Sequence, residues 1–102
     1  MGEMRDRMLR GELYIGGDPE SKAEFARVQE LLARFNRSAP AAWDERDGLL
    51  RQMMRHVGEE VVVRPPFYCE YGAISIGDRS FVNVDAVLLD VSPISIGAAC
   101  QI

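Results

Sequence analysis

A chain of 102 residues, 47% hydrophobic and 27% charged, has room for one ordinary domain or two small pieces and is too apolar to stay disordered. Its formal net charge of −4 leaves no basic field to hold nucleic acid or an anionic membrane surface. No stretch reaches the ~18 apolar residues of a membrane span. The first twenty residues alternate charged and apolar side chains rather than forming the apolar core of a secretory signal, so the expected location is the cytoplasm.

The first part of the chain reads as helical. Met4, Met8 and Leu9 mark a short amphipathic turn that ends near Gly11, and Leu13 and Tyr14 supply an apolar anchor. Asp18-Pro19-Glu20 is a helix start: Asp18 caps, Pro19 suits the first helical position, and Glu20 favours the positive end of the dipole. Phe25, Val28, Leu32 and Phe35 then recur at helical spacing, which predicts one buried face up to about Asn36. A second helix is expected after Pro40. Asp44, Glu45 and Asp47 lie early in it, Arg51, Arg55 and His56 late, with an apolar stripe of Leu49, Leu50, Met53, Met54 and Val57. Gly58 is the expected stop, in the left-handed conformation of a helix end. His56, the only histidine, is then a cation at a helix C-terminus rather than a catalytic base.

Beyond Gly58 the character changes. Of 28 charged residues only Arg64, Glu70, Asp78, Arg79, Asp85 and Asp90 follow Glu60. Val61-Val62-Val63 is a β-branched run, Arg64-Pro65-Pro66-Phe67 has to be extended, and no helix is expected from there on. The tetrapeptide Ile-Ser-Ile-Gly occurs at residues 74–77 and again at 94–97. Between the copies Ile76, Val82, Leu88 and Ile94 fall six apart, and Ile96 to Ile102 resumes that step after a two-residue slip. A period of six is the signature of a parallel β-helix with three hexads to a coil, so the two tetrapeptides are expected to stack directly. Gly77, Ala86 and Gly97 suit positions near its corners. The fold class is therefore α+β: helices over residues 1–58, then the first coils of a β-helix over 59–102. Cys69 and Cys100 lie outside any CxxC pattern and are expected as buried free thiols, with no metal site.

Six strings in order carry a resemblance. They are Met8-Leu9-Arg10-Gly11-Glu12-Leu13-Tyr14, Asp18-Pro19-Glu20, Leu32-Ala33-Arg34-Phe35-Asn36, Val57-Gly58-Glu59, Pro65-Pro66-Phe67 with Tyr71-Gly72, and Phe81-Val82-Asn83 leading to Leu88-Leu89-Asp90. Together, from about Met4 to Ile102, the chain resembles the maltose, galactoside and nodulation O-acetyltransferases. The resemblance implies a helical domain on a left-handed parallel β-helix, a homotrimer with active sites between subunits, and acetyl transfer from acetyl-CoA to a sugar hydroxyl with histidine as general base.

Carried over residue by residue, the resemblance places the acceptor sugar against Asn83 and Asp90. Either side chain could instead serve as a corner residue bonding its own backbone. Glu70 stands where the family often has Asp or Ser, and Phe81 where a tyrosine lines the pocket. Asp18 is a further sugar contact unless capping occupies it. The family's catalytic histidine falls about a dozen residues beyond the position of Ile102, with most of the CoA site later still, so this chain is expected to be inactive alone. The alternative is a non-catalytic binding or assembly module derived from such an enzyme. A zinc-dependent hydratase on the same scaffold would need several histidines.

Overall fold

The computed structural model describes residues 19–102. The expectations placed on Met4, Met8, Leu9, Gly11, Leu13, Tyr14 and Asp18 lie outside the described residues. Helix α1 (Pro19–Asn36) closes at the asparagine, as the spacing predicts. Val28, Leu31, Leu32 and Phe35 form its buried face. Phe25 does not join it: the ring is 41% exposed and stands edge-on to Tyr71, with centroids 5.8 Å apart.

Helix α2 (Trp43–Met53) buries Leu49, Leu50 and Met53 but ends five residues before the glycine expected to stop it. Met54 is extended (φ −98°, ψ 157°). The next amide, Arg55, donates to the carbonyls of Gly72 and Ile74 rather than back along the helix. Pairing with a neighbouring strand has overridden local helix propensity. His56 and Val57 accordingly form strand β1, and Gly58 is not left-handed. The glycine is required there for another reason: a Cβ would collide with the Asp78 backbone and carboxylate.

Six more strands follow: β2 (Val62–Val63), β3 (Phe67–Cys69), β4 (Ile74–Ile76), β5 (Phe81–Val82), β6 (Ala86–Leu88) and β7 (Ile94–Ile96). They make three parallel sheets, β1-β4-β7, β2-β5 and β3-β6. The chain visits the three sheets in rotation and so winds as a coil. The two Ile-Ser-Ile segments stack residue on residue, Ile74 on Ile94, Ser75 on Ser95 and Ile76 on Ile96. Ala86 opens β6 opposite Phe67, directly after the corner residue Asp85 with φ 63°.

Inward side chains form columns: Val57 with Ile76 and Ile96, Val63 with Val82, Cys69 with Leu88. The step from one inward residue to the next is six around two corners of each coil. It lengthens only at the third corner, between Cys69 and Ile76 and again between Leu88 and Ile96. At another corner Glu60, Arg79 and Ala99 lie one above the other, all with φ between 53° and 59°. Arg79 and Ala99 each donate an amide to the corner of the coil before, at Glu59 and Asp78. The Pro65–Pro66 peptide bond is cis.

One continuous apolar core joins helices and coil, from Val28 and Phe35 through Leu49, Leu50 and Met53 to Val63, Phe67, Ile74, Ile76 and Val82. Polar side chains fix the helices to the coil backbone. Asn36 Nδ2 donates to the Phe67 carbonyl at 3.0 Å and its Oδ1 accepts the Phe67 amide at 2.9 Å. Gln29 Nε2 donates to the Cys69 carbonyl at 2.8 Å. Arg51 reaches the carbonyls of Val57 and Gly58 while pairing with Asp47.

Candidate functional site

Asp90 follows β6 and is fully buried. Its carboxylate faces the turn between β3 and β4, one coil earlier. Oδ1 accepts the Glu70 amide at 2.7 Å, Oδ2 accepts the Ala73 amide at 2.7 Å, and both receive the Tyr71 amide at 3.2 and 3.1 Å. Three converging N–H groups satisfy a buried carboxylate as a hydroxylic ligand would, and hydrogen bonds to an ionised acceptor are the strong kind. Glu70 thus has its backbone held by Asp90, while its half-buried side chain projects from the same turn.

Asn83 lies at a different corner, after β5, so β6 separates it from Asp90. It is exposed, and its Oδ1 accepts both the Val84 amide at 2.9 Å and Arg64 Nη1 at 3.2 Å. The first contact is the local bond of a corner residue. The second sets an arginine beside it. Phe81, two residues earlier, is half-buried on β5 between Val62 and Gln101. His56 lies on the β1-β4-β7 sheet opposite Ser75, whereas Asn83 and Asp90 follow strands of the other two sheets.

Behind the Asp90 turn, Cys69 is 4% exposed. Burial, then the Asp90 charge, push its thiol up to about 12 against a Gly72 backbone hydrogen bond that lowers it. The sign of the linkage follows. Above an ordinary thiol value near 9.0 the unfolded chain ionises while the folded chain stays neutral until about 12. Stability is therefore whole below that window and falls through it by ~1 kcal/mol per pH unit. At pH 8 iodoacetamide is expected to alkylate half-buried Cys100 in the native chain and to reach Cys69 only on unfolding. Peptide mass spectrometry that finds both labelled at similar rates would contradict this burial.

Sequence reasoning missed several of these roles. Asn36 read only as a helix end, and Gln29 sat in a polar face with no signal of its partner. Trp43, the only tryptophan, carries no sequence signal of a role, yet it is 57% exposed with the Arg46 guanidinium 5.2 Å from its ring centroid.

With this geometry in place, comparison with known proteins is decisive for the family. The maltose acetyltransferase hexapeptide capping motif matches residues 7–58. Nodulation protein L of Rhizobium meliloti (strain 1021) is 37% identical over 94 residues, 91% of this chain and 51% of that protein. A crystal structure of a maltose O-acetyltransferase from Clostridium difficile 630 superposes with a TM-score of 0.91 at 30% identity, covering 96% of this chain and 53% of that one. A galactoside acetyltransferase in complex with coenzyme A gives 0.85 at 30% identity, covering 95% and 49%. The chain belongs to the maltose and galactoside O-acetyltransferase family of hexapeptide-repeat proteins. It spans about half the length of the curated relatives it matches.

Proposed function

We propose that this chain is the acceptor-side part of an enzyme that moves an acetyl group from acetyl-CoA to a sugar hydroxyl. The observation that carries the reading is the in-register likeness over 91% of the chain to a family of acetyltransferases, one of them solved with coenzyme A. Exposed Asn83 offers the sugar an amide that donates as well as accepts, beside the Arg64 guanidinium. Glu70, at the separate corner that Asp90 holds, is a second sugar contact in this reading, and Asp18 a third. Asp90 serves the sugar through the Glu70 turn that it holds.

In this reaction a base takes the hydroxyl proton as the oxygen attacks the thioester carbonyl; the new C–O bond forms, the C–S bond breaks, and the CoA thiol leaves. A group titrating near neutrality suits the task. We do not assign that role to His56, which lies on the β1-β4-β7 sheet whereas Asn83 follows a strand of the β2-β5 sheet. The base and the CoA coils are placed downstream of Ile102, in a longer product. The coil is left-handed, residues 1–58 cap it, and the working enzyme is a cytoplasmic homotrimer. Exposed Tyr68, Val87 and Leu89 on and beside the β3-β6 sheet support association of copies through that face. Among the described residues no helix is long and apolar enough to cross a membrane.

The test is sugar-dependent release of free CoA thiol from acetyl-CoA, measured for the 102-residue chain and for the product isolated from the native source, whose intact mass is determined first. The short chain is expected to give none above hydrolysis, and a native product about twice its mass to respond to maltose or a galactoside. Transfer by the short chain would refute the missing base. Sugar binding without transfer by the native product would favour a non-catalytic module.

A further inference from the structure

Two hollows meet at Trp43. One, of about 310 Å³, lies between α2 and β2, with Asp47 and Glu60 in its wall. The other, of about 410 Å³, is lined by Pro40, Trp43, Arg46, Arg64 and Pro65 among others. Their volumes are those of small-molecule clefts. Trp43 and Arg46 border both hollows, so the indole stands on the ridge between them.

The indole is a built platform. Arg46 is only 7% exposed, and its guanidinium is fixed by hydrogen bonds to Ser38 Oγ at 2.8 Å and the Ala39 carbonyl at 2.7 Å. From there it sits 5.2 Å from the ring centroid, within cation–π range, which favours this orientation of the ring. Yet 57% of the tryptophan remains open to solvent. A large aromatic face backed by a buried guanidinium and left wet is matched by a flat ligand with an apolar face and a polar rim.

The surrounding charge narrows the ligand further. Across the two hollows Arg46, Arg51 and Arg64 are matched in number by Asp44, Asp47 and Glu60. The acids all line the first hollow and the second carries only Arg46 and Arg64, but the pair as a whole is balanced, so an ion gains little at the ridge between them. Interspersed donors and acceptors suit a neutral polyol. The second hollow also runs toward the acceptor corner, because Arg64, in its wall, donates to Asn83 Oδ1.

We infer that the Trp43 cleft is a subsite for a second or third ring of a neutral oligosaccharide whose first ring lies at Asn83. The inference rests on the acceptor reading of Asn83 and extends it from a sugar to a chain of sugars. Arg64 is the bridge between the two positions, and Trp43 carries the outer ring on its face.

The test is binding without acetyl-CoA. Trp43 fluorescence is titrated with maltotriose, cellotriose and tri-N-acetylchitotriose, with glucose and galactose as single-ring controls and phosphate as an anion control. At least one trisaccharide is expected to shift the emission saturably and to bind at least ~10-fold more tightly than any single ring. By calorimetry Trp43→Ala should weaken that trisaccharide ~10-fold or more, and Trp43→Phe should restore most of the loss, both with unchanged thermal midpoints. No saturable shift with any trisaccharide, an equal response to phosphate, or undiminished affinity in Trp43→Ala overturns the subsite. If trisaccharides bind but the native product transfers no acetyl group, the transfer reading fails and the subsite stands. Transfer to single rings with no trisaccharide binding gives the reverse.

Discussion

Asp90→Asn is expected to destabilise the chain by ~3–5 kcal/mol in urea unfolding, a loss rarely produced by an isosteric change. The carboxylate is fully buried and takes the amides of Glu70, Tyr71 and Ala73 on its two oxygens. Asparagine keeps one oxygen and turns an NH2 group toward an N–H donor, which leaves at least one buried amide unpaired and removes the charge that strengthens the others. The same variant separates two roles for this residue. A side chain that only touched sugar would lose ligand affinity and keep its unfolding midpoint. A loss below ~1 kcal/mol would mean that the clamp contributes little beyond a neutral hydrogen bond.

Gly72→Ala is expected to cost more than ~3 kcal/mol and to leave little soluble, cooperatively folded protein. Two independent facts converge on that glycine. Its φ is +74°, and a Cβ would sit on the carbonyl oxygen of Met53, the last residue of α2. Neither side can yield cheaply, because the Gly72 carbonyl accepts the Arg55 amide at 3.1 Å and the turn is clamped by Asp90. Gly48 is the control. It is exposed within α2 with nothing within 4 Å of its Cβ position, so Gly48→Ala should stabilise by ~0.5–1 kcal/mol. Similar thermal midpoints for the two variants would contradict the close approach at Gly72.

How far the sequence foretold this structure varies by element. The Asn36 end of α1 was legible because apolar spacing is a local signal. So was the stacking of the two Ile-Ser-Ile segments, since a repeat reports a neighbour in space. The end of α2 was not legible. Met54 and Val57 continue a helical stripe and are buried, but β1 buries Val57 by pairing with β4, a partner nineteen residues away that no local window contains. The site divides in the same way. Asn83 bonding its own corner follows from residue type, whereas the Asp90 grip on residues 70–73 depends on which turns the coil brings together.

The uneven corner also bears on how such a chain can vary in length. Around two corners the inward residues are six apart in every coil, and an added residue there would turn each later side chain inside out. The surplus falls instead between Cys69 and Ile76 and between Leu88 and Ile96, one residue in the first coil and two in the next. Asp90 occupies this seam and ties its slack to the backbone beneath. Insertions and deletions are thereby confined to a single edge of the prism, where the coil can lengthen or shorten while the columns keep their alignment. That edge carries Glu70 and the turn that Asp90 holds, so changes of length and changes in that half-buried surface would be made at one place in the chain.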